Sequence, residues 1–273
     1  MNRSLAICLL AAATGVTAAP LLADWRDSLT PDTAGPFPPV RPLEAEYRIG
    51  WTDIEAARAH VKITGDGPGI VRFSGNCATN GLARLLWQLD ASLDSTSALD
   101  GLQTIYSIQN EAYAKYSIFT QIVARPDGIW CLHENFPPRG NPARWKLIKL
   151  SPLRDLFSGV LFIRSQNLVP GAFVSTVIFP GDCPFFVEIK AVGTCKIHVA
   201  GAARDAIKLD IHLRRINLKK ADQLERYGKF ESGTIWLSDD ADRIPLRVEI
   251  NIFVGYVFAE LESVVFPAPG APR

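Results

Sequence analysis

Between residues 206 and 213 apolar and polar side chains alternate without a break. Ile207, Leu209, Ile211 and Leu213 fall on one side, and Lys208, Asp210 and His212 on the other. A period of two marks a strand with one buried face, and a helix cannot use it. Residues 246–252 alternate in the same way. Shorter strand candidates are 46–51, 57–64, 70–74, 87–93, 116–124, 174–179, 185–191 and 196–200, separated by turn signals such as 65–68 and 180–182. Two segments read as helical. Ser151 followed by Pro152 makes a helix start, and Leu153, Leu156, Phe157, Val160 and Leu161 then share one face. Residues 80–86, with Leu82, Leu85 and Leu86, make a shorter candidate. The pattern predicts a mainly β fold with one or two helices.

Register follows from requiring one common buried face. With 239–242 as a loop, Leu237 meets Ile244 and Ile235 meets Leu246. With Val254 and Gly255 as a two-residue turn, Ile252 meets Val257, Ile250 meets Ala259 and Val248 meets Leu261. The opposite face then carries Trp236, Phe253, Tyr256 and Phe258 among Arg247, Glu249, Glu260 and Glu262, with Arg247 across from Glu262. A face so aromatic is either covered by a helix, an arm or another sheet, or it is an apolar groove for a ligand or partner.

The chain begins with Arg3, an uncharged stretch at 5–13 and small residues ending at Val16 and Ala18. That order is expected of a secretory leader, residues 1–18, cut after Ala18. The apolar stretch is too short to span a membrane. Residues 19–42 are expected to form a Pro-rich arm, 43–266 a single β-rich domain and 267–273 a Pro-rich tail. Lys and Arg number 29 against 28 Asp and Glu, a balance that offers no footprint for nucleic acid and no basic face for anionic lipid. Past the leader, Cys77, Cys131, Cys183 and Cys195 remain. Four cysteines allow three pairings. Cys183 and Cys195 flank an expected hairpin near Gly193, without being placed opposite each other.

Catalytic motifs do not emerge. His133 and Glu134 begin a zinc-protease string, but Pro137 stands where the second His belongs. Asp239, Asp240 and Asp242 fit a turn better than a calcium loop, since the glycine and the bidentate Glu are lacking. His60, His133, His198 and His212 are scattered. Asp155 near the start of the second helix and Arg164 near its end complement the helix dipole. Arg164 is also a candidate for pairing with a ligand. No cofactor or metal is implied.

The second half of the chain contains Asp155–Gln166 with its Leu156, Phe157, Leu161 and Phe162, then Pro170-Gly171, Val192-Gly193 and Ala200-Gly201. It continues with the run Trp236, Leu237, Ser238, Asp239, Asp240 before Arg247-Val248-Glu249, and Val254-Gly255 before Ala259. This order and spacing resembles the bacterial DUF3108 family of exported proteins of unknown function, most specifically in the segment starting at Trp236. The resemblance implies an antiparallel rolled sheet or up-and-down half-barrel packed on one or two helices. It also implies the Gram-negative envelope, periplasmic or outer-membrane-associated, and brings no catalytic residues. The functional expectation is a non-catalytic envelope protein that binds an apolar or amphipathic ligand, such as a lipid or acyl chain, in the rolled sheet. The alternative is an interaction module that docks another envelope protein. Trp236, Phe253, Tyr256, Phe258 and Arg164 are the candidate binding residues, and no nucleic acid or transmembrane span is expected.

Overall fold

In the computed structural model, residues 24–267 are described, apart from 38–39, 53, 66–68, 139–141 and 229–231. The expected leader and most of the expected tail lie outside the described residues. A first run of antiparallel strands comprises β1 (Leu43–Trp51), β2 (Ile54–Gly65), β3 (Ile70–Thr79), β4 (Leu89–Ala98), β5 (Thr104–Tyr113), β6 (Ser117–Arg125), β7 (Gly128–Phe136) and β8 (Lys146–Ile148). Helix α1 (Gly81–Leu86) sits between β3 and β4, and helix α2 (Leu156–Ser165) follows β8. The return run is β9 (Phe173–Ile178), β10 (Phe185–Val199), β11 (Ala202–Asn217), β12 (Gln223–Glu225), β13 (Ser232–Ser238), β14 (Pro245–Asn251) and β15 (Tyr256–Val265).

The strands form one antiparallel sheet that does not close, ordered β8 to β1, then β15, β14, β13, β11, β10 and β9, with β12 beside β11. Its two margins, β8 and β9, are neighbours in sequence, joined through α2. The main core packs α2 (Leu161, Phe162, Ile163) against the inner face of the return run, where Ile189, Leu209, Leu237 and Leu246 are all but fully buried. A second apolar cluster joins Ile122, Ile129 and Ile148 of β6–β8 to Val177, Phe186 and Ile216 of β9–β11. Side-chain packing rather than a hydrogen-bonded ladder thus brings the margins together.

Helix α2 starts later than the sequence suggests. Asp155, not Ser151, is its N-cap, accepting from the backbone N–H of Phe157 and Ser158 at 2.9 and 2.8 Å. Arg154 is held out of the helix by a bridge to Ile178, with its N–H on the Val177 carbonyl. The Asp155 carboxylate also accepts from the Ser95 hydroxyl, while Thr104 Oγ1 accepts from the Asp155 N–H at 2.7 Å. The polar start of α2 therefore rests on a hydroxyl-lined patch of β4 and β5, and its apolar body on the return run.

The Arg154 guanidinium is fully buried. It lies 3.7 Å from the centroid of the Phe162 ring and donates to the Leu102 and Gly101 carbonyls, Thr176 Oγ1 and Asp32. Asp32 belongs to the Pro-rich arm, which runs along the free margin of β9. Thr30 N–H donates to the Ser175 carbonyl at 3.1 Å, and Ser175 N–H to Thr30 Oγ1 at 2.9 Å. Covering an edge in this way removes a template for strand addition.

Three details differ from the sequence reading. Residues 185–199 form one strand rather than a hairpin centred near Gly193. A bulge between Ala191 and Gly193 keeps β10 on β11, and the turn falls at Ala200 and Gly201, whose φ values are +51° and +71°. The extended chain from Cys183 to Cys195 therefore spans up to roughly 40 Å, and Cys195 pairs with Ala206. In the C-terminal meander the registers are displaced by two residues: Ile235 meets Val248, and Arg247 meets Glu260 rather than Glu262. A displacement of two preserves which face each side chain occupies. Between β14 and β15 its cause is a four-residue turn closed by Ile252 N–H on the Gly255 carbonyl at 3.2 Å, and between β13 and β14 the ladder shifts at an irregularity between Trp236 and Leu237.

Candidate functional site

Trp236, Arg247, Glu260 and Phe258 share the face of β13–β15 that points away from α2, as their pairing requires. That face seals itself. The Phe258 ring lies over Gly50 on β1, where an added Cβ would stand 2.7 Å from the ring. The guanidiniums of Arg48 and Arg247 flank the ring at 5.2 and 5.0 Å from its centroid, contacts of about 0.5–2 kcal/mol each. Both also donate to Glu260, Arg48 at 2.6 Å. Phe258 is buried, and Trp236 and Tyr256 are half-buried. Phe253 stands apart from the other three, at the tip of the β14–β15 turn and 99% exposed.

Arg164 is remote from that face. It lies in the last turn of α2, buried, with Nε donating to the Asp242 carbonyl at 3.0 Å. Burial and the neighbouring Arg243 hold its pKa down to about 10. Arg243 donates to the Arg164 and Gln166 carbonyls at 2.8 and 2.7 Å, satisfying the end of α2. Arg164 borders a chamber of about 230 Å³ between α2, the arm around Phe37, and Leu99 and Leu102 of the β4–β5 connection. This is smaller than most small-molecule pockets, about 300–1,000 Å³. A shallow depression of about 590 Å³ lies on β4–β7, bordered by Asp90, Asn110, Phe119, Glu134 and Phe136.

The rim at which β1–β2, β3–β4, β5–β6 and β14–β15 connect has a different character. Helix α1 has no buried residue: Leu82, Leu85 and Leu86 are 80, 82 and 90% exposed. Its one charge, Arg84, donates to the Thr79 carbonyl at 3.2 Å and pairs with Asp90 at 2.8 Å, both side chains staying partly exposed. The helix thus lacks the buried apolar face of an ordinary surface helix. Trp51, Ile54, Trp87, Val254 and Phe253 are exposed on the same rim.

Contacts tie the elements of this apolar rim to one another. Trp51 Nε1 donates to the Val254 carbonyl at 2.7 Å and Thr52 N–H to the Tyr256 carbonyl at 2.8 Å, tying two turns together. Asn80 N–H donates to the Ala56 carbonyl at 2.9 Å, tying α1 to β2, and the Trp87 ring lies 6.0 Å from Tyr113, which stacks on Tyr116 at 4.4 Å. Of these rim residues the sequence points to Phe253 alone as a binding residue. The available signal was apolar side chains where connections ordinarily carry Gly, Asn, Asp or Ser.

The chemistry-bearing residues do not converge. Among the described residues, no three of His, Cys, Asp or Glu gather as metal ligands. His133 Nδ1 meets Thr120 Oγ1 at 2.9 Å on neighbouring strands. The four cysteines are unpaired, and burial pushes the thiols of Cys131 and Cys183 up to about 11. The Asp-rich segment is a turn: Asp240 accepts from Ser238 Oγ and from the N–H groups of Asp242 and Arg243, and Asp242 pairs with Arg41 at 2.7 Å. No helix among the described residues is long and apolar enough to cross a membrane.

Residues 46–262 match the family described as "Protein of unknown function (DUF3108)". The chain belongs to the DUF3108 family. No curated protein matches it in sequence. Among solved structures it is similar to the beta-barrel-like protein of domain of unknown function DUF1849 from Brucella abortus, with 8% identity and a TM-score of 0.56 over 84% of this chain and 99% of that one. That likeness is one of fold. A Bacteroides fragilis protein, described as exported and as having a YmcC-like fold, aligns at 10% identity with a TM-score of 0.34 over 85% of this chain and 99% of that one. The DUF3108 family is described as of unknown function, and the rim and the chamber are the candidate sites of this chain.

Proposed function

We propose that this DUF3108 protein is a non-catalytic protein of the cell envelope that acts as a docking module, with the apolar rim as its working surface. The observation that carries this reading is a filled interior beside an exposed apolar tract. Helix α2 and the inner side chains occupy the centre of the roll, while leucine, tryptophan and phenylalanine stand in solvent at one end. Monomeric proteins rarely expose contiguous apolar tracts without a use for them. Export to the periplasm or outer membrane rests on the leader expected at residues 1–18.

The test is a variant carrying Leu82→Ser, Leu85→Ser and Phe253→Ser, compared with the parent for its share in the washed envelope fraction of the host. The expected result is an unchanged melting temperature and loss of the variant from that fraction. An unchanged share sinks the docking reading.

A second reading has one specific observation behind it. The chamber beside Arg164 combines apolar walls with a buried guanidinium, which suits a small amphipathic ligand with an acidic head. Native mass spectrometry of protein purified from the periplasm should then give an extra mass that Arg164→Met removes. A clean apo mass counts against it.

A further inference from the structure

Resting on the docking reading, we infer that the partner of the rim is the surface of a zwitterionic lipid bilayer, entered by the turn tips rather than by a flat patch. The apolar side chains stand on separate elements of the rim, Ile54 at the start of β2, Leu82, Leu85 and Leu86 on α1, and Phe253 and Val254 after β14. They form prongs, not a groove. A fluid hydrocarbon layer accepts prongs of any relative height, whereas a folded partner would need a matching hole for each.

Next to the prongs come Trp51, Trp87, Tyr113 and Tyr116, ringed aromatics with a polar handle, the residue types that settle at headgroup level. Charge decides the lipid class. The ionic groups framing α1 are matched to each other, Arg84 with Asp90 at 2.8 Å and Arg58 with Glu55 at 2.9 Å. The approach of the rim to lipid therefore brings these paired charges and the single exposed Lys115, between Tyr113 and Tyr116, near the headgroups, and among the described residues framing α1 no basic cluster recruits anionic lipid. Attraction here is apolar and should survive salt.

The experiment is flotation of the purified protein with phosphatidylcholine–phosphatidylethanolamine vesicles, with and without brominated acyl chains. The expected result is co-flotation that persists in about 1 M salt, where the Debye length is about 3 Å. Bromine should quench tryptophan fluorescence, less so in Trp87→Phe. Each leucine or phenylalanine entering hydrocarbon adds roughly tenfold to partitioning. The variant with Leu82→Ser, Leu85→Ser and Phe253→Ser should thus lose at least about tenfold, and Val265→Ser at the far end of the roll nothing.

Flotation only with anionic vesicles, reversed by salt, overturns the inference, as does flotation that the triple variant leaves unchanged. Absent flotation with rim-dependent envelope retention overturns the lipid inference and leaves the docking reading standing, the partner then being a protein. Absent flotation with rim-dependent dimers in sedimentation overturns it in favour of a second copy. If neither flotation nor envelope retention depends on the rim, both readings fall.

Discussion

At one end of the roll the connections 98–104 and 238–245 carry Asp100, Gly101, Asp239, Asp240 and Asp242. The carboxylates of Asp100 and Asp240 accept from the N–H groups of their own turns, and the arm and the end of α2 close over that end. At the other end Trp51 closes β1, Ile54 opens β2, and the connections carry Leu86, Trp87, Phe253 and Val254, all of them exposed. Both ends solve the same folding problem, reversing a strand. The lidded end solves it with residues that satisfy the turn backbone. The bare end also turns at Asn80, Gly81 and Gly255, and adds exposed apolar side chains that make no turn contact of this kind.

That contrast can be broken by substitution. The largest effect is expected at Phe162→Ala on α2, a loss of about 3–5 kcal/mol measured by urea unfolding, because the ring is fully buried beneath Arg154. Arg154→Met should follow, at about 1–3 kcal/mol, since it strips donors from the Gly101 and Leu102 carbonyls and from Asp32. Leu85→Ser on the bare rim should shift stability by no more than about 0.5 kcal/mol. If Leu85→Ser unfolds the chain, the rim is structural and the contrast fails.

The smallest effect concerns acid. Hydrogen bonds from Arg58 to Glu55 and from Arg84 to Asp90 hold both carboxyls below the usual carboxylate range. A depressed folded pKa contributes stability above the unfolded value, about 4, and loses it as pH falls through the folded value. The melting temperature of the parent should therefore drop between about pH 5 and 3, and drop less in Arg84→Gln. An equal drop in both would remove this pair from the account.

How much was legible from the chain differs between its halves. The return run alternates cleanly because its inner face is Ile, Leu and Val against α2. There the buried and outer faces were read correctly even where the register was off by two, since turn length sets register and face only fixes its parity. Strands β5 and β7, and the three-residue β8 and β12, do not stand out in the sequence. The inner face of β4 and β5 is Ser95, Ser97, Thr104 and Ser107, all buried, so hydroxyls stand where a hydrophobic pattern looks for carbon. Their burial is explained by the polar start of α2 in part, through Ser95 and Thr104, and no local rule exposes a need created by a distant helix. The aromatic face at Trp236 and Phe258 was placed on the correct side. Its sealing by Arg48 depends on β15 lying beside β1, a pairing across the whole length of the chain.

That pairing has a consequence for trimming the protein. In most sheets the first and last strands can be shortened at small loss because they sit at a border. Here they are mutual neighbours in the middle of the strand order, so deleting either terminus past Leu43 or before Val265 splits the sheet into two pieces, each with a raw new border. Boundaries drawn for expression or for fusion tags should respect both residues as though they were interior.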